Sequence, residues 1–137
     1  MAATRYPFRL GARSRPLLRL FGVHGVQDAY VELDETTFFA RFGRFDVATP
    51  IANLASWQIE GPWRWITSIG VRRSIRHGDI TFGGSPRGGV RIDFHTPPRV
   101  GPFHPLALYV TVDDLVGLGA ALSASGIPGR DLRRDRR

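Results

Sequence analysis

Four histidines, nineteen arginines and no cysteine bound the chemistry open to this 137-residue chain. The histidines are His24, His77, His95 and His104. None stands two or four residues from another, and no HExxH zinc motif occurs. A hydrolytic arrangement would have to join His77 with Asp79 and Ser74 or Ser85, without the GxSxG turn that presents a nucleophile. His95 and His104 flank a proline-rich stretch, but two ligands do not complete a zinc shell. Disulfides, thiolate catalysis and cysteine-ligated metals are excluded outright. The expectation is a non-enzyme with no catalytic residues, no metal and no cofactor.

What remains is binding chemistry. Arg72, Arg73 and Arg76 form the densest basic cluster inside the chain, next to His77. A guanidinium fork grips carboxylate or phosphate bidentately, so these are candidate anion ligands. The alternative is a solvated surface balanced by Asp79 and Glu60. Arg87 joins the candidates through the loop GGSPRGG, whose backbone N–H groups could cradle an anion. That loop matches no nucleotide fingerprint and reads equally as a hairpin turn. Trp63 and Trp65, on either side of Arg64, are candidate interface anchors, while tryptophan's large apolar area also suits a core.

The net charge of +7 sits at the two ends. Arg5, Arg9, Arg13, Arg15 and Arg19 precede any acidic residue, and Arg130, Arg133 and Arg134 stand in an arginine-rich tail. The stretch between is close to neutral. All nineteen basic residues are arginine, so a GC-rich coding bias explains the composition as readily as a functional pressure does. Such arms can hold nucleic acid or an anionic membrane electrostatically. No apolar run approaches the ~20 residues of a membrane span, and no signal-like h-region follows the basic start, so a cytoplasmic protein is expected.

The elements that must position these residues are mostly strands. AYVEL, TFFARF and FDVAT alternate apolar and polar residues and are joined by short turns, which is a β-meander. ASWQIE, DITF, VRIDFH and LALYVTV continue the pattern, with Ala55, Trp57 and Ile59 in alternation and Val90, Ile92 and Phe94 facing inward. TPPRVGPFHP has too many prolines for regular structure. The period then changes: Leu115, Leu118 and Leu122 make a helical stripe that opens at Asp113-Asp114 and stops at Gly126. The reading is a basic arm over residues 1–27, irregular apart from one helical turn opened by Pro16. A β domain with its C-terminal helix follows over residues 28–125, and a basic disordered tail over residues 126–137. The fold class is mainly β with one C-terminal helix, a bent barrel or two packed antiparallel sheets capped by that helix.

Three stretches carry a resemblance: AYVELDETTFFARFGRFDVATPIANLASWQI, DITFGGSPRGGVRIDF and LYVTVDDLVGLGAAL. In this order they resemble a pleckstrin-homology-like domain, especially its small bacterial relatives, over about residues 28–125. More loosely, the chain is similar to actinobacterial proteins of this length. The resemblance implies a binding module. It carries over no lipid ligand, because Glu32, Asp34 and Glu35 stand around the first hairpin where phosphoinositide-binding members are basic. Residues 113–125 also lack the tryptophan usual in the family's helix.

Three functions stay open. The first is a binding or scaffold module acting through protein or peptide contacts, including self-association through an unpaired strand edge. Electrostatic binding of nucleic acid or anionic membrane through the termini is the second. A small-molecule binder or enzyme with a cavity lined by Trp57, Phe39 or Phe94 is the third. If the arms hold duplex DNA, binding measured against salt should give a log–log slope of roughly −0.9 per neutralised phosphate. A flat response would remove that function.

Overall fold

Strict alternation fixes the first sheet. The computed structural model describes residues 4–11, 15–20, 22–61, 70–74, 79–83 and 88–132. Strands β1 (Thr4–Pro7), β2 (Ala29–Leu33), β3 (Thr37–Phe42) and β4 (Phe45–Pro50) lie side by side in chain order, all antiparallel. Val31, Ala40 and Val47 are in register and buried, as are Leu33, Phe38 and Thr49 in the next row. Their neighbours along each strand face outward, as a period of two requires.

The second sheet takes the order β10-β5-β8-β9-β7-β6, from β5 (Leu54–Glu60), β6 (Gly70–Ser74), β7 (Asp79–Gly83), β8 (Gly89–Phe94), β9 (Ala107–Val110) and β10 (Gly129–Asp131). It is mixed: β7 runs parallel to β9, and β10 runs parallel to β5. The expected antiparallel pairing holds for the other contacts only. Its inner rows are Trp57–Ile92–Leu108–Ile80 and Ile59–Val90–Val110–Phe82, all buried. A register shift between Leu54 and Ser56 explains why Leu54 is buried and Ala55 only half-buried, against simple alternation along ASWQIE.

The class is thus mainly β with one helix near the C-terminus, as expected. Two strands are not foreshadowed by the pattern, and β6 falls in RWITSIGVRRSIRHG, whose β-branched residues favour extended structure over helix without fixing a strand. Pro7, Gly11 and Pro16 break the 1–27 segment and predict a largely irregular course, yet β1 forms and Pro7 sits on the sheet edge, where a missing N–H costs little. Phe8 follows, 1% exposed, and bridges to Val112, two residues beyond β9. The Phe8 ring packs on Phe42 at 5.2 Å, and Phe42 stacks on Phe82 at 5.7 Å, so three phenylalanines tie the two sheets together. Pro16 does lie within one short helical turn, α1 (Arg15–Arg19), which buries Leu18 and leaves Leu20 exposed.

The second unread strand is β10, in the segment expected to be disordered. Helix α2 (Leu115–Ala124) packs against β5, β8 and β10 through Leu118 and Leu122. Asp114 caps it, its carboxylate accepting from the Gly117 N–H at 2.9 Å. Beyond α2 the chain turns back over Trp57. The indole N–H donates to the Ile127 carbonyl (3.1 Å), the Trp57 N–H to the Pro128 carbonyl (3.0 Å), and the Leu132 N–H to the Ile59 carbonyl (3.0 Å). A Cβ at Gly119 would meet the indole ring at 2.8 Å, and one at Gly129 would collide with both the ring and the Trp57 carbonyl. The two glycines therefore flank the ring because no side chain fits there.

Replacing Gly129 with alanine should cost about 1–3 kcal/mol by overpacking. Trp57→Phe should cost about as much by leaving the buried Ile127 carbonyl unpaired. Urea unfolding midpoints test both, and an unchanged midpoint for Gly129→Ala would refute the clamp.

Candidate functional site

The sequence-derived candidates that fall on described residues lie on separate elements. Arg72 and Arg73 fall on β6, in register with Thr81 and Ile80. Arg15 is the first residue of α1. Trp63, Arg64, Trp65, Arg76, Arg87, Arg13, Arg133 and Arg134 lie outside the described residues, as do His77 and Ser85. His24, His95 and His104 are exposed, and no group of three or more metal-ligating side chains occurs among the described residues. Trp57 and Phe94 are core residues, and Phe39 is half-buried on the outer face of the first sheet.

The terminal arginines do not act alike. Arg5 pairs with Glu32 at 2.7 Å, and its guanidinium lies 3.9 Å from the centre of the Tyr30 ring. That pair raises the Arg5 pKa above its ordinary value, against a smaller opposing effect of burial. Arg9 reaches Asp113 at 3.5 Å. Arg19, at the end of α1, and Arg130, on β10, are exposed. Two of the arm residues are therefore turned back onto the sheets. Exposed pairs of this kind hold weakly, at about 0–1 kcal/mol.

A polar row crosses the outer face of the second sheet. Gln58, Arg91, Tyr109 and Thr81 are in register across β5, β8, β9 and β7. Arg91 donates to the Tyr109 hydroxyl (3.0 Å) and to Asp93 (3.1 Å); Tyr109 donates to Glu60 (3.4 Å), and Ser56 to Asp93 (3.2 Å). Burial alone would lower the Arg91 pKa, but its bonds to Tyr109 and Asp93 outweigh burial and raise it. This guanidinium is committed to its neighbours and is no open anion clamp.

The surface that lacks such partners is on α2. Its ten residues, LVGLGAALSA, include no charged side chain. A helix on a protein surface normally carries charge on its solvent face. Here that face presents Val116, 57% exposed, with Ala120, Ser123 and Ala124 also exposed. Beside it runs a groove of about 230 Å³ lined by Trp57, Ile59, Val116, Ala120, Ser123 and Asp131. A second cleft of about 350 Å³ meets it at Val116, with Arg9, Asp113 and Asp114 among its lining. Sequence reasoning assigned the inner stripe at 115, 118 and 122 and passed over the outer one. The signal was present: ten helical residues without a charge.

The hairpin before β3 is held electrostatically. One oxygen of the Asp34 carboxylate accepts from the N–H groups of Thr36 (2.8 Å) and Thr37 (2.7 Å) and from the Thr36 hydroxyl (3.3 Å). These bonds, the Thr36 N–H first, hold the Asp34 pKa below its ordinary value. The turn therefore stays anionic further into acid than an unpaired aspartate would.

Compared with known proteins, the chain matches no family model, no curated protein and no solved structure. Among the described residues, no helix is long and apolar enough to cross a membrane.

Because the folded Asp34 pKa lies below the unfolded value of about 3.9, the turn's contribution is complete above roughly pH 5 and is lost as pH falls through the folded value. Asp34→Ala should lower the urea midpoint at neutral pH and flatten its decline in acid. Parallel pH profiles for the two proteins would refute this role.

Proposed function

We propose that the chain is a non-catalytic binding module that engages a protein or peptide through the outward face of α2. The observation that carries this reading is the absence of charge over ten helical residues, with Val116 more than half exposed at their start. An exposed apolar patch bordered by polar residues is the usual mark of a protein contact. The polar groups on the outer face of the second sheet bond to one another, which leaves α2 as the better candidate. The groove beside Val116, about 230 Å³, is of a size for one inserted side chain, and the adjoining cleft of about 350 Å³ offers Arg9, Asp113 and Asp114 for polar contacts. A pleckstrin-homology-like scaffold, with strands capped by a C-terminal helix, would serve such a role.

Photo-crosslinking in cells tests the proposal. A benzophenone side chain at position 116 should give discrete protein adducts, whereas the same group at position 48, on the exposed edge strand β4, should not. Adducts absent from position 116, or identical from both positions, would overturn it.

A further inference from the structure

The chain carries +7 overall, yet among the described residues the lining of the two depressions beside α2 is mainly acidic. Three of the twelve acidic residues, Asp113, Asp114 and Asp131, line the two depressions that meet at Val116, and Arg9 is the one cation lining them among the described residues. That inversion of sign is local and needs a reason. Asp113 is 64% exposed and its contact with Arg9 is long, at 3.5 Å, so an incoming cation can replace Arg9 at small cost. Asp114 spends one oxygen on the Gly117 N–H, and an ionised carboxylate has further acceptor sites. Asp131 is half-buried at the wall of the groove and already has a partner, so a cation there shares or exchanges that contact. Between the carboxylates the surface is apolar: Val116 and Ala120 on the helix, Ile59 and Trp57 beneath.

We infer that the segment recognised is basic: an apolar side chain seated against Val116 and Ala120, with arginine or lysine on its flanks. The inference rests on α2 being the docking face. Arginine and lysine fit both parts of the surface, since their methylene stems lie along apolar side chains while the charged head reaches a carboxylate. An acidic segment would meet three carboxylates and be rejected by like charge, which makes the acidic lining a source of specificity as well as of affinity.

The test is selection from a random dodecamer peptide library displayed on phage, using the full chain and counter-selecting on Val116→Asp. Peptides that depend on Val116 should be enriched in arginine or lysine beside an apolar residue. For the best of them, labelled and followed by fluorescence anisotropy, the Asp113→Asn, Asp131→Asn double variant should bind about tenfold or more weakly. Circular dichroism and urea midpoints confirm that each variant is folded. Val116-dependent peptides that are neutral or acidic, or a basic peptide indifferent to both carboxylates, would overturn the inference and leave the docking face standing. A selection with no Val116-dependent peptide would overturn both.

Discussion

The Trp57 ring has room only because positions 119 and 129 lack side chains, and three segments distant in sequence depend on that room. Its strand, β5, is central to the contacts of α2 and, among the described residues, is the only partner of β10 in the sheet. The indole supplies the buried area and one directed hydrogen bond, while the main chain supplies the rest. Helix propensity loses by the arrangement, since a glycine in mid-helix costs about 1 kcal/mol against alanine. Close approach of the helix to the ring offsets that loss. A tighter helix sequence without Gly119 would stand off the sheet and uncover the row Trp57–Ile92–Leu108–Ile80.

A second tie joins the two sheets. Phe8, Phe42 and Phe82 run from one sheet into the other, and the backbone around Phe8 exchanges hydrogen bonds with Thr111 and Asp113. Asn53 closes a third junction: its side chain bonds Thr96 in both directions and reaches the Thr49 hydroxyl. Each junction uses a polar group satisfied on arrival or an aromatic ring. The core is therefore continuous across both sheets.

Much of this was legible. The period of two in AYVEL, TFFARF and VRIDFH placed the buried residues of β2 and β3, and Val90, Ile92 and Phe94 of β8, on the correct face, because burial on one side forces alternation; buried Gly89, at the start of β8, falls outside that pattern. The acidic start of α2 and its inner stripe were equally readable. The losses have physical causes. β1 is short and ends in proline, so its pattern is too brief to register. β10 is recognised through backbone bonds and through the lack of a side chain at Gly129, neither of which leaves a hydrophobic signature. The basic clusters at 72–76 and 87 and the tryptophans at 63 and 65 drew attention by residue type. The α2 face offered only an absence of charge, which composition does not flag. Arg5 and Arg9 show the same limit from the other side, since their pairing with Glu32 and Asp113 joins residues 27 and 104 positions apart.

The order of synthesis gives the C-terminal clamp a further meaning. Trp57 is made seventy residues before the carbonyl that receives its indole N–H. Until Ile127 to Leu132 arrive, the edge of β5 that β10 covers has no partner among the described residues, and the Trp57 ring is covered by α2 on one side only. An open strand next to exposed aromatic surface is what chaperones capture and what neighbouring nascent chains pair with. The interval between these two points of the chain is thus a period of vulnerability in every round of translation. Slow codons anywhere between residues 58 and 127 would lengthen it, while the finished protein would be unchanged.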